Sequence, residues 1–159
     1  MNFVYILLGA NLGNPIQQLK EAIIELSTQI GHVTKISSIY ESEAWGVEDQ
    51  PKFYNQVLAL ETPLAALDVL TIALQIEQKL GRVRTQHWGA RIIDIDLLYF
   101  NDEIIQLDHL IIPHPYLHKR NFTLVPLVEI APNLIHPILG KTNTQLEQES
   151  EDNLKVNKI

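Results

Sequence analysis

The chain has no cysteine, which excludes disulfides and thiolate chemistry. It has no apolar run of transmembrane length, and Met1 leads straight into a strand-like segment with no signal-peptide pattern, so the expected setting is cytoplasmic and no membrane partner is expected. Positive charge is scarce: 12 Lys and Arg against 19 Asp and Glu leave a net charge of −7, which argues against a general nucleic-acid binder. What remains is a globular composition, 46% hydrophobic and 19% charged, in 159 residues, the length of one domain with room for a real core.

Arginine is the scarcest charge and the most unevenly placed. Of Arg82, Arg84, Arg91 and Arg120, three lie within ten residues, directly before Ile92-Ile93-Asp94-Ile95-Asp96-Leu97-Leu98-Tyr99-Phe100. That run is β-branched and aromatic, so it reads as a strand. Alternation puts Ile93, Ile95 and Leu97 on one face and Asp94 and Asp96 on the other, with the two acids about 6.6 Å apart along the backbone. Two carboxylates side by side on a stiff apolar strand repel each other and lose hydration. Bound divalent cations relieve both costs, and hard oxygen donors suit magnesium. The plain alternative is a solvated strand face, but Asp is depleted in strands, and the nearby guanidinium groups are the side chains that grip phosphate bidentately. The grouping points to a phosphate-rich ligand.

Taken in order, residues 3–8 form a short apolar run and read as a buried strand. Gly9 to Pro15 reads as a strand-to-helix turn, since it lacks both a P-loop ending and a full dinucleotide fingerprint. Asn14 caps the helix that follows and Pro15 opens it; Ile16, Leu19, Ile23, Leu26 and Ile30 make its apolar stripe, and Gly31 ends it. Residues 33–40 are expected as a second strand and 41–52 as a long surface loop. Residues 53–60 are a third strand with Phe53, Asn55, Val57 and Ala59 on one face. An aromatic beside a carboxamide either stacks on and reads a flat heterocycle or is a core ring next to a strand-end Asn.

Thr62-Pro63 is expected to open a second helix with Leu64, Leu67, Leu70 and Leu74 as its buried stripe. Glu77, next along that stripe, either snorkels at the helix end or faces a site. Residues 81–89 form a polar Arg-bearing loop closed by Trp88. Asn101-Asp102 reads as a hairpin turn with 103–107 as the return strand. Residues 122–130 read as a short helix, and the chain past Lys141 is expected to fray. The order β-α-β-β-α-β predicts an α+β fold, ferredoxin-like, an antiparallel sheet with helices on one face plus a C-terminal extension.

Several stretches together resemble the hydroxymethyl-dihydropterin pyrophosphokinase family: Leu8-Gly9-Ala10-Asn11-Leu12-Gly13, Asp49-Gln50-Pro51 through Asn55, Gly81-Arg82-Val83-Arg84, Trp88-Gly89-Ala90-Arg91 with Asp94-Ile95-Asp96, and Pro113-His114 with Arg120-Asn121-Phe122. The resemblance runs from about Tyr5 to Gly140 and implies one pyrophosphokinase domain over residues 1–159, with about 141–159 as a loosely packed tail. It implies a folate-pathway transferase that moves pyrophosphate from MgATP to a pterin alcohol and releases AMP. Carried over position by position, Asp94 and Asp96 would hold two Mg²⁺ ions. Arg82 and Arg91 would neutralise charge during transfer. Glu77, Arg84, Trp88, His114 and Arg120 would bind ATP. Ser42, Trp45, Phe53, Asn55 and Phe122 would bind the pterin. The next folate-pathway enzyme is a candidate partner. This agrees with the residue-level reading, because phosphoryl-type transfer needs alignment and charge neutralisation more than covalent help. Two other readings weigh less: a different Mg-dependent phosphoryl or nucleotidyl transferase, against which Phe53, Asn55 and Phe122 speak, and a non-catalytic ferredoxin-like sensing module, which leaves the Arg–Asp cluster unexplained.

Overall fold

Residues 2–10 are apolar on both faces, and this is why they form a central strand. In the computed structural model, which describes residues 1–43, 51–81 and 93–159, β1 (Asn2–Ala10) is flanked on each side by an antiparallel neighbour. Val4, Ile6, Leu8 and Ala10 enter one core and Leu7 another. Burial on both faces accounts for the unbroken apolar run. Gly9 and Ala10 belong to β1, so the expected turn starts later, at Asn11.

Helix α1 (Pro15–Gln29) begins as expected: the Asn14 side chain accepts a hydrogen bond from the Gln17 amide at 3.2 Å, and Leu19, Ala22 and Leu26 are buried. Gly31 then passes so close to β4 (described next) that a Cβ would lie 2.0 Å from the Glu61 carbonyl oxygen. The expected strand at 33–40 is two strands, β2 (His32–Ile36) and β3 (Tyr40–Ser42), both paired with β4 (Phe53–Thr62). Side chains interrupt the ladder between them. The Ser37 hydroxyl accepts from the Val57 amide at 2.9 Å, and the Ser38 amide donates to the Glu129 carboxylate. Glu41 and Ser42, expected in a loop, complete β3.

Helix α2 (Ala66–Lys79) starts a turn later than expected. Thr62 is still in the strand, its hydroxyl donating to Ile30 O at 2.7 Å and accepting from the Leu64 amide at 3.1 Å. The buried stripe is Ala66, Val69, Ala73 and Ile76 with Glu77, while Leu67 and Leu74 are 47% and 45% exposed. Alanines at 66 and 73, with Ala22 of α1, let the helices settle close to the sheet and to each other, which turns the leucine row onto the flank.

β5 (Asp94–Phe100) pairs with β1 across a bulge: Ile6 faces Leu97 but Tyr5 faces Tyr99, which leaves Leu98 as the extra residue. The segment after the Asn101-Asp102 turn does not return along β5. Only β6 (Ile105–Gln106) is strand there, and it pairs with β7 (Ile111–Ile112). The outer side of β5 is met instead by the His114 amide, which donates to Leu98 O at 3.0 Å.

A 3₁₀ turn, Leu117–Lys119, leads into α3 (Asn121–Ile130). The polar tail does not fray. It forms α4 (Asn143–Gln148), opened by a Thr142–Gln145 capping box, and β8 (Val156–Lys158), which pairs with β3. Buried hydrogen bonds help hold it: Asn143 is fully buried, accepting from the Tyr99 hydroxyl at 2.8 Å and donating to Ala131 O at 2.9 Å.

The sheet runs β5-β1-β4-β3-β8 with β2 beside β4, and its pairings are antiparallel. One face packs on α1 and α2 through Val4, Ile6, Leu8, Leu58, Leu60, Ile95 and Leu97. The other carries Leu7, Val57, Ala59, Leu98 and Tyr99 against α3 and α4. This is the ferredoxin-like α+β arrangement, with the C-terminal extension covering the second face.

Candidate active site

The site grows out of the end of the second face where the core stops. Ile93, just before β5, and Ile95 and Leu97 on it enter the core under α1 and α2, so Asp94 and Asp96, both half-buried, project to the opposite, α3 side. On β4 the same alternation places Phe53 and Asn55 with Val57 and Ala59, again on the α3 side. On β3, Tyr40 reaches Glu129 of α3 with its hydroxyl at 2.6 Å, and Ser42 follows two residues on. Ser42, Phe53, Asn55, Asp94 and Asp96 therefore share one face.

The pairing aligns them. Tyr40, Asn55, Gly9 and Asp94 lie in one row across four strands; Leu7 and Asp96 share the row beneath, and Ser42 pairs with Phe53 above. At about 4.8 Å between strands, Asn55 and Asp94 sit on the order of 10 Å apart with only the bare Gly9 backbone between them. The Asn55 Nδ2 donates to Leu8 O at 3.2 Å.

Glu77 does not snorkel. It is 3% exposed, and its Oε2 accepts from the Ile95 amide at 2.7 Å, tying down from the core side the residue between the two aspartates. A strand bearing adjacent carboxylates is thus held by a third acid behind it. Asp94 and Asp96 are hard oxygen donors, and among the described residues no third His, Cys, Asp or Glu completes a metal cluster with them. Two carboxylates, with the remaining positions left to water or phosphate, is a donor set that fits magnesium and not a closed structural zinc site.

His114 stands beyond the β5 edge. Its Nδ1 accepts from the Tyr116 amide at 3.1 Å, which leaves the ring proton on Nε2. Burial, reinforced by the Arg120 charge, pushes its pKa down to about 4, so the ring is neutral at pH 7. The Arg120 guanidinium lies 4.8 Å from the Tyr116 ring centre and 5.5 Å from that of Phe122, the first-turn residue of α3. A cavity of about 270 Å³ lies beside Asp96, lined by Leu70, Leu97, Leu110, His114 and Pro115 among others. A larger one, about 770 Å³, is bounded by Arg120 and Phe122 on one side and Glu149 to Asp152 on the other. Among the described residues no ring contact joins Phe53 to Phe122. Trp45, Arg82, Arg84, Trp88 and Arg91 lie outside the described residues.

Two features of this region escape a reading of the sequence alone. Asn11 is 2% exposed, and among the described residues neither of its amide atoms has a hydrogen-bond partner. Gly9, taken as part of a turn, is a strand residue, and a glycine inside a strand signals a close approach by another group.

A profile of the 7,8-dihydro-6-hydroxymethylpterin-pyrophosphokinase family matches residues 5–132. The chain is 42% identical over 150 residues to a 2-amino-4-hydroxy-6-hydroxymethyldihydropteridine pyrophosphokinase of Aquifex aeolicus, covering 94% of this chain and 93% of that one. It is 43% identical over 130 residues to the protein of the same name from Bacillus subtilis, covering 81% and 78%. The fold also matches a Plasmodium falciparum HPPK-DHPS crystal structure with a TM-score of 0.76 at 19% identity, over 93% of this chain and 43% of that one. The chain therefore spans under half the length of that fused protein. Among the described residues no helix is long and apolar enough to cross a membrane. The chain belongs to the 7,8-dihydro-6-hydroxymethylpterin-pyrophosphokinase family and is, by that membership, a transferase of folate biosynthesis.

Proposed function

We propose that this chain transfers pyrophosphate from MgATP to the hydroxymethyl group of 6-hydroxymethyl-7,8-dihydropterin, releasing AMP. The observation that carries the reading is the shared face: Ser42, Phe53 and Asn55 stand on one side of bare Gly9, and Asp94 and Asp96 on the other. That spacing suits an acceptor ring on the first group and a polyphosphate on the second, with the reacting alcohol between them.

In the reaction, the alcohol oxygen bonds to the β-phosphorus, its proton passing to solvent, as the bond from that phosphorus to the oxygen bridging to the α-phosphate breaks. AMP departs with the bridging oxygen. Two Mg²⁺ held by Asp94 and Asp96 would supply charge neutralisation at the phosphates. The chain's own residues do the positioning. Ser42 and Asn55 read the pterin edge, and Phe53 and Phe122 hold its faces, with Trp45 contributing beside them. His114 offers an Nε2–H to a phosphate oxygen without adding charge, and Arg120 and Arg84 add two permanent cations. Arg82 and Arg91 meet charge that develops during transfer, and Trp88 lines the nucleotide site. Behind them Glu77 holds β5 in register through Ile95.

The cavity beside Asp96 is the place we assign to the nucleotide, since it brings Leu70, Leu97 and Leu110 together with Asp96 and His114. Contact with the enzyme that consumes the pterin diphosphate, and a cytoplasmic setting, complete the proposal; the fused HPPK-DHPS chains support the first. The test is AMP release by chromatography with ATP, the pterin alcohol and Mg²⁺. Stoichiometric AMP and pterin diphosphate are expected, and chelation of Mg²⁺ should abolish both. ATP consumed to ADP or pyrophosphate, or no turnover with the pterin, would overturn it.

A further inference from the structure

Gly9 lies between Asn55 and Asp94 in the row that joins the two halves of the site. A Cβ built there would sit 2.8 Å from Asn55 Nδ2, closer than real Cβ atoms come, and its next contact is the Cγ of the same side chain at 4.0 Å. Among the described residues, the space that glycine leaves is met by one group, the Asn55 carboxamide. That carboxamide is 5% exposed, and its Nδ2 donates to Leu8 O at 3.2 Å, one residue before Gly9.

This contact decides which end of the amide faces the ligand. A carbonyl oxygen can be met only by the NH₂ end, so Leu8 O holds Nδ2 against β1. Oδ1 is the end left over, and it accepts no hydrogen bond from any described residue. Asn55 therefore presents a fixed acceptor, and an acceptor selects a ligand edge that carries N–H.

Resting on the pterin reading above, we propose that Gly9 is a specificity-determining positioning residue: by lacking a side chain it lets the Asn55 carboxamide lie on Leu8 O with Oδ1 outward, so the site selects a flat heterocycle with an N–H donor at that edge. Gly9 touches no substrate in this account and acts only through Asn55. A side chain at position 9 crowds Asn55 Nδ2, shifts the amide on Leu8 O and loosens the contact that fixes its orientation.

The experiment is initial-rate AMP release by wild type, Gly9→Ala, Asn55→Ala and the double variant, with pterin and ATP varied separately. Gly9→Ala should raise the pterin KM about tenfold or more, the scale of one lost buried hydrogen bond, and leave the ATP KM within about twofold. The double variant should be no worse than Asn55→Ala alone, because both remove the same contact. A pterin methylated on the ring nitrogen that donates should be rejected by wild type and discriminated less by Gly9→Ala. Asn55→Asp gives a second arm that does not depend on Gly9→Ala folding. It keeps an acceptor but turns an oxygen toward Leu8 O, and it should also raise the pterin KM. An unchanged pterin KM in Gly9→Ala, effects that multiply with Asn55→Ala, or Asn55→Asp behaving as wild type would each overturn the proposal. Wild type that is inactive with the pterin defeats the functional reading itself; active wild type with an indifferent Gly9→Ala defeats only this inference.

Discussion

The two faces of the sheet are built to different rules. Under α1 and α2 the face is apolar from edge to edge, with Glu77 as its buried acid, and that acid accepts from the Ile95 backbone amide. Under α3 and α4 the apolar cluster is smaller and is ringed by Asn55, Thr123, His136 and Asn143, all buried, with Asp94 and Asp96 at its margin. One face holds the strands in register; the other uses that register to present polar groups. The difference teaches that the strand carrying the acids can be stiff because all of its apolar anchorage up to the bulge lies on the far side.

This contrast can be broken in graded steps. The largest effect expected is at Asp96→Asn, which should lower AMP release by roughly 10²–10³-fold, the scale of removing one electrostatic stabiliser, with the urea midpoint unchanged. A variant that loses stability instead would make Asp96 part of the core. The converse is Leu26→Ala on the opposite face. It should cost about 3 kcal/mol in urea unfolding, typical of a buried leucine, and leave kcat in the surviving folded protein near wild type. A smaller effect is expected at Tyr40→Phe, which removes the hydroxyl donated to Glu129. Glu129 keeps the Ser38 amide and hydroxyl, so the cost in unfolding free energy should be about 1 kcal/mol.

The remaining test is a titration. His114 is neutral when folded, its pKa pushed down to about 4 from 6.5. Its unfolded form binds a proton that the folded form does not between those values, so it makes the protein less stable as pH falls from about 6.5 toward 4, and has no influence above that window. Its ring signals in NMR should move with a midpoint near 4. A midpoint near 6.5 would mean an exposed ring and remove the neutral donor from the phosphate site.

Much of this was legible in the residues, and what was not has physical causes. Alternation alone separated Asp94 and Asp96 from Ile93, Ile95 and Leu97, because a strand with one buried face tolerates no other register. Asn14 and Pro15 opened α1 because caps act through local backbone chemistry, whereas Gly31 is required by its approach to the Glu61 carbonyl. The stripe of α2 was misread because leucines advertise burial while Ala66 and Ala73, which let the helix approach, carry little hydrophobic signal. The division of 33–40 and the folded tail rest on side-chain-to-backbone bonds from Ser37, Glu129 and Asn143, and hydropathy does not register these. Glycine at position 9 looked like a turn because its real partner, Asn55, is 46 residues away. The roles of Trp45, Arg82, Arg84, Trp88 and Arg91 still rest on resemblance.

The most direct test of the central claim is paramagnetic broadening of backbone amide signals by Mn²⁺ in place of Mg²⁺, with a non-hydrolysable ATP analogue bound. The account predicts strong broadening at Gly9, Asp94 and Asp96, weaker broadening at Asn55, and none at Ala22 or Leu26 on the far side of the sheet. Broadening centred elsewhere, for instance on the acidic run at Glu149 to Asp152, with Asp94 and Asp96 untouched, would contradict it.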